Sequence, residues 1–159
     1  MNKRLIFLSF FGAGLSKYAP GTMGTLAALP FGFLILHFLG ATTLFLVAIL
    51  LTVISIKEID AYEAEGGIHD DSRIVTDEVV GTFIALSMTV QIDNIWLQAF
   101  LVFVFFRILD IKKPSVIGLA ERKFKGGNGV MFDDILAGIF AGILSWVVFR
   151  GLQFMGLSF

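Results

Sequence analysis

Long uncharged stretches alternate with short, densely charged ones along the chain. Tyr18–Ile56 is 39 residues without Asp, Glu, Lys or Arg. One bilayer-spanning helix takes ~20 residues. The stretch therefore predicts two helices in a hairpin, near 22–39 and 41–60, turning at Gly40. Val79–Phe106 is interrupted only by Asp93-Asn94, a turn signal. It predicts a second hairpin, near 76–91 and 95–111. Ile135–Phe149 begins a fifth helix running to about residue 155. Lys3–Gly12 reads as a short interfacial or buried helix. Some apolar runs are short for a full span, so the helices should extend into the charged segments. Pro30 predicts a kink in the first long helix, with neighbouring helices satisfying the freed backbone group. Gly138 with Gly142, and Gly24 with Ala28, set small residues four apart, a spacing that lets helices pack closely in lipid.

Composition sharpens this to a class. Of 159 residues, 57% are hydrophobic and 16% charged, and Phe alone contributes 18. Ordinary soluble domains carry ~25% charged residues, and a soluble globule this apolar would expose large hydrophobic patches. Mean hydropathy is +0.88. Disorder, a disulfide scaffold and a basic nucleic-acid-binding arm are excluded, since there is no cysteine and the net charge is −1. The expectation is an all-α polytopic membrane bundle, one domain over residues 1–159, with about five transmembrane helices.

The near-zero net charge conceals an uneven distribution. Lys57–Glu78 holds 8 acidic and 2 basic residues; Arg107–Asp134 holds 6 basic and 4 acidic. With five spans, both segments share a membrane face with the N-terminus, and that face carries 11 of the 12 Lys and Arg residues. Only Arg150 lies opposite. The positive-inside rule places the charged face in the cytoplasm. Lys3-Arg4 followed by Leu5–Phe11 resembles the start of a signal peptide, but no A-x-A-like cleavage site follows.

Four constellations on that face carry candidate chemistry. Gly12–Thr25 has four glycines, Ser16, Thr22, Thr25 and Lys17, and opens directly onto a helix. A helix N-terminus offers free N–H groups to an anion; a plain loop with a Thr N-cap accounts for the same residues. Asp70–Gly81 places Asp77 and Glu78 where the third long helix begins. The helix dipole favours acids there, and carboxylate oxygens suit Mg²⁺. Phe106–Pro114 offers Arg107 and Asp110, which can pair at i,i+3, and Lys112 and Lys113 as anchors or phosphate contacts. Lys125–Gly138 sets a Gly-rich loop before Asp133 and Asp134. Asp133 could serve as an N-cap, or the two Asp as the other half of a metal site. His37 and His69 are weak candidates. Carboxylates for a cation, with donors for an anion, equip a site for phosphoryl chemistry.

The sequence resembles the phosphatidylglycerophosphatase A family from about Gly12 to Gly142. The resemblance rests on five blocks in order: G-x-G-L-S from Gly12, A-P-G-T-M-G-T-L-A-A from Ala19, I-V-x-D-E-x-V-G from Ile74, F-R-x-x-D-x-x-K-P from Phe106, and G-G-x-G-V-M-x-D-D-x-x-A-G from Gly126. It implies a Mg²⁺-dependent phosphatase of the bacterial cytoplasmic membrane that converts phosphatidylglycerophosphate to phosphatidylglycerol. Asp70, Asp77, Glu78, Asp110, Asp133 and Asp134 fall on the family's acidic positions. Lys17, Asp71 and Val116 depart from residues common in the family; all lie in flanking loops and leave the acidic set intact.

The expected site follows from both readings. Asp77, Glu78, Asp133 and Asp134, with Asp70, would hold one or two Mg²⁺, and Asp77, Glu78 and Asp134 would take part in the chemistry. Thr22, Thr25, Ser16, Arg107, Asp110, Lys112 and Lys125 would bind substrate. Water or a carboxylate could be the nucleophile. The rival class is a small ion transporter or channel, whose ionisable residues should lie at mid-membrane rather than at helix ends. A lipid phosphotransferase would use similar metal chemistry, but the D-G-x-x-A-R segment of that family is absent from the chain.

Overall fold

In the computed structural model, residues 3–89, 94–114 and 126–156 are described. Among them the elements are α1 (Lys3–Leu8), a 3-10 turn (Ala13–Leu15), α2 (Pro20–Ala64), α3 (Thr76–Met88), α4 (Ile95–Lys112) and α5 (Gly127–Phe154), with no strand. The sequence reading of an all-helical chain holds. Residues 90 and 91, expected to end the third long helix, and Asp93 of the expected turn lie outside the described residues. Asn94 caps α4, its side chain accepting from the Leu97 N–H at 3.3 Å.

α2 is two helices. At Gly40 the backbone turns to φ 81°, ψ 169°, a conformation that glycine adopts without steric cost. Pro30 keeps helical dihedrals, so the break falls at Gly40. A straight helix would separate Gly24 from Tyr62 by roughly 57 Å. Instead both reach the same loop. A Cβ on Gly24 would lie 2.7 Å from Val75, and the Tyr62 hydroxyl donates to Asp71 at 2.6 Å. Residues 20–39 and 41–64 therefore form the expected hairpin, the second arm running further into the charged segment than 60.

α3 is the axis of the bundle. Its residues from Val79 to Ser87 are all buried, on every face, which only a helix enclosed by others can achieve. The first arm of α2 runs alongside it in the same direction: Gly24 meets Val75 and Gly32 meets Leu86. α5 does likewise, with Gly138 against the Gly81 backbone, and a Cβ on Gly142 would lie 3.2 Å from Ala85. α4 runs the opposite way, Phe106 packing on Gly81. The small residues are thus packing faces, as their spacing predicted. The starts of α2, α3 and α5 and the ends of α2 and α4 gather at one end of the bundle.

α5 begins at Gly127, eight residues before the expected Ile135. Asp60, at the end of α2, accepts the Gly127 N–H at 2.7 Å and supplies a cap from another helix. That tertiary bond satisfies an orphan helix donor and extends the helix through a glycine-rich stretch. Asp133 is consequently not an N-cap; it sits almost two turns inside α5.

The outer surface inverts the soluble pattern. Phe31, Leu34, Phe38, Leu46, Leu50, Trp146 and Val147 are exposed. α2 and α5 are long and apolar enough to cross a membrane, with mean hydropathy of 2.4 and 2.0 in their most apolar windows.

Candidate active site

The loop before α3 is fastened from two sides. The Val75 N–H donates to the Leu8 carbonyl at 2.9 Å, tying the loop to α1. Asp71, 7% exposed, accepts from Arg73 Nε at 2.9 and 3.1 Å and from the Tyr62 hydroxyl. The Arg73 guanidinium holds the Asp71 carboxyl well below the usual carboxylate range; burial opposes this and Tyr62 assists it. The chain leaves this clamp directly into α3, so Asp77 and Glu78 occupy its first turn. Asp77 Oδ1 accepts the Glu78 N–H at 3.0 Å, one of the helix's orphan donors.

α5 and α4 supply the opposite wall. Asp133 and Asp134 are 6% and 3% exposed. Asp133 Oδ2 lies 2.7 Å from Lys113 Nζ. Arg107 pairs with Asp110 one turn along α4, and its Nη1 is 3.9 Å from Glu78 Oε1. These groups surround a cavity of about 590 Å³. Its walls include Pro20 and Gly21 of α2, His69, Asp70 and Asp71 of the loop, Asp77 and Glu78, Arg107, Asp110 and Lys113, and Asp133 and Asp134.

Pairing sorts the carboxylates of the cavity. Asp71 has Arg73, Asp110 has Arg107 and Asp133 has Lys113. Among the described residues, neither Asp77 nor Asp134 has a basic side chain within 4.0 Å, and Glu78 has only the long contact to Arg107. Yet one oxygen from each of Asp77, Glu78 and Asp134 lies within 4.8 Å of the others. Glu78 Oε2 is buried without a hydrogen-bond partner, and so is Arg107 Nε. Both residues line the cavity, and a buried acceptor and a buried donor without partners call for a cation and an anion beside them. Three hard oxygen donors in this arrangement fit Mg²⁺, which is held by a few carboxylates and keeps its remaining positions for water or phosphate.

The residues expected from the sequence separate into two sets. Asp77, Glu78, Asp133, Asp134, Arg107, Asp110 and Asp70 all line the cavity. Asp70 stands at its rim, exposed and with φ 54°, apart from the central three. The proposed hydroxyls do not come in. Thr25 is fully buried and its hydroxyl donates to the Gly21 carbonyl at 3.0 Å, closing on its own helix. Ser16 donates to the Tyr18 carbonyl at 2.8 Å, a local turn. Thr22 is not on the cavity wall, although its neighbour Gly21 is. Lys112 is exposed and off the wall; Lys113 takes that place. Lys113 ends α4 with φ 40°, ψ 60°, and the Lys-Pro pair was the available signal, since the chain must leave the helix there. Lys125 lies outside the described residues. Asp71 is a cavity residue that the sequence did not single out as a binding group; His69, a weak candidate there, also lines the wall.

The family model for phosphatidylglycerophosphatase A matches residues 6–149. The chain belongs to the phosphatidylglycerophosphatase A family. Phosphatidylglycerophosphatase A of Escherichia coli (strain K12) is 43% identical over 138 residues, covering 86% of this chain and 78% of the relative. The Haemophilus influenzae protein of the same name is 36% identical, covering 87% and 83%. A Bacteroides thetaiotaomicron protein, provisionally named a phosphatidylinositol-3-phosphatase, is 39% identical over 147 residues, covering 87% and 91%. No solved structure gives a significant match. Membership in the phosphatidylglycerophosphatase A family makes the chain a phosphatase and a lipid its substrate. All seven cavity acids fall inside the matched residues.

Proposed function

We propose that the protein is a Mg²⁺-dependent phosphatidylglycerophosphate phosphatase of the bacterial cytoplasmic membrane, a multi-pass bundle with its active site facing the cytoplasm. The observation that carries the reading is the trio Asp77, Glu78 and Asp134, three carboxylates brought together from two helices, with unpaired polar atoms on residues that line the same cavity. Two names among the relatives, and a family model of that description, support the substrate.

In this reading Asp77, Glu78 and Asp134 hold the metal, and Asp133 shapes their surroundings through its pair with Lys113. Bound Mg²⁺ supplies Lewis-acid polarisation of the phosphate. Arg107 and Lys113, both on the cavity wall, draw the anionic headgroup in and orient its oxygens. The P–O bond to the glycerol breaks as one to water forms. The proton that a cavity carboxylate takes from the water returns to the glycerol oxygen, giving phosphatidylglycerol and phosphate. The chain's cationic loops face the cytoplasm by the positive-inside count, so the headgroup is reached from that side.

The test is phosphate release from phosphatidylglycerophosphate in mixed micelles, with Mg²⁺ and with EDTA, beside Asp77→Asn and Asp134→Asn. Phosphatidylinositol 3-phosphate serves as the competing substrate. Release that requires Mg²⁺, fails in both variants and prefers phosphatidylglycerophosphate is the expected result. Full activity in EDTA removes the metal from the proposal, and preference for the inositide removes the substrate.

A further inference from the structure

One helix pair serves two cavities. Pro20 and Gly21 of α2 and Arg107 and Asp110 of α4 line the polar cavity. Further along the same two helices, Leu26, Leu29, Pro30 and Phe33 of α2 face Trp96, Ala99, Phe100 and Phe103 of α4 across a groove of about 310 Å³. Every residue of its wall is apolar. Leu26 lies five residues from Gly21, and Phe103 four from Arg107, so the groove starts about one turn, ~6–8 Å, from the polar wall. Leu26 and Phe100 are 44% and 62% exposed, so the groove opens sideways on the apolar surface.

We propose that this groove seats one acyl chain of the phospholipid whose phosphate occupies the polar cavity. The inference rests on the proposed lipid phosphatase reading and adds the place of the chain. The size commits the occupant: at ~30 Å³ per water-sized group, 310 Å³ admits roughly ten carbons. A helix of a second protein, ~10–12 Å across with its side chains, does not fit. The polarity commits its orientation, because the cationic and acidic groups lie at one end only. Moving a chain from bilayer to groove exchanges one apolar surrounding for another, so it adds little affinity. What it adds is position, holding the scissile phosphate at a fixed depth against Arg107 and the carboxylate trio.

Two measurements on the full-length protein test this. Leu26→Trp fills the groove from an exposed position. It should lower the ratio of hydrolysis of dioleoyl phosphatidylglycerophosphate to that of its deacylated, water-soluble headgroup about fivefold, since small misplacements of the reacting group cost rate. Leu46→Trp, on the other arm of α2 and more exposed still at 58%, should leave that ratio unchanged. An unaltered ratio in Leu26→Trp overturns the proposal. The second measurement needs no turnover. The chain has two tryptophans, Trp96 in the groove and Trp146 elsewhere on the surface. In Trp146→Phe, a non-hydrolysable phosphonate analogue with brominated acyl chains should quench Trp96 at several-fold lower mole fraction than brominated phosphatidylcholine. In Trp96→Phe, both lipids should quench Trp146 alike. Equal quenching of Trp96 by both lipids overturns the groove and leaves an ordinary lipid annulus. If the wild type releases no phosphate from the lipid, the function fails, and the selectivity at Trp96 still decides the groove.

Discussion

The backbone of Gly138 in α5 lies directly against the carbonyl of Gly81 in α3, with no room for a side chain between them. Gly81 is one turn along α3 from Asp77 and Glu78, and Gly138 one turn along α5 from Asp134. The approach of these two glycines therefore sets the spacing of the carboxylate trio. Gly138→Val should push the helices apart, because the obstacle is backbone and has no rotamer to yield. Overpacking costs about 1–3 kcal/mol, and activity should fall further than stability does. Gly151, with nothing within 4 Å, is the control: Gly151→Ala should match the wild type in both thermal unfolding and phosphate release.

Asp77, Glu78 and Asp134 should behave as one unit. Asp77→Asn, Glu78→Gln and Asp134→Asn each leave two carboxylates where three are grouped within 4.8 Å. Each should lower kcat by ~10²–10³, the range for losing a group that acts on transition-state charge, and the double variants should lose little more. Removing Mg²⁺ with EDTA should reduce the wild type to the level of the variants. Mg²⁺ should raise the wild type's unfolding temperature and leave that of Asp77→Asn unmoved, since a ligand stabilises only the state that binds it. Additive losses across the double variants would show that the three act separately.

The helices and the polar face were legible because lipid imposes a coarse rule, apolar for ~20 residues and polar at the ends. Gly40, the acidic pairs and the small-residue faces follow from it. What escaped the sequence was decided by single tertiary contacts. α5 starts at Gly127 because Asp60, 67 residues away, caps it. Thr25 stays off the cavity wall, buried with its hydroxyl on its own helix carbonyl, and a Thr one position nearer a helix start reads the same in sequence. Lys112 and Lys113 are adjacent and chemically identical; the left-handed turn that ends α4 puts the second, not the first, on the cavity wall.

That turn makes a sharp contrast between two neighbouring lysines. Lys113 Nζ pairs with Asp133, whose side chain is 8% exposed against 31% for the lysine. Lys113→Ala leaves a buried carboxylate without this cation. Fully buried pairs cost ~3–5 kcal/mol to break this way; with the lysine partly solvated, about 2–3 kcal/mol is expected. Lys112→Ala should change stability by less than ~0.5 kcal/mol, as surface substitutions do. Lys113→Arg should recover most of the loss, and denaturant unfolding of the three variants checks the order.

The Asp71 clamp makes a prediction with a definite sign. Arg73 and Tyr62 hold the folded carboxyl below its unfolded value near ~3.9. A group depressed on folding binds fewer protons in the native state, so its stabilisation is fully present above the unfolded pKa. It is lost as the pH falls from there through the folded value. Asp71→Asn, which accepts from Arg73 without charge, should therefore unfold at a lower temperature than the wild type, by a margin that is constant from pH 5 to 8. The margin should shrink progressively below about pH 4, where the unfolded chain takes up a proton that the clamp refuses. The clamp leads directly into α3, so the same variant should lose activity at neutral pH through displacement of Asp77 and Glu78. A margin that instead grows as the pH falls would mean that Asp71 is not held by Arg73 in the folded protein.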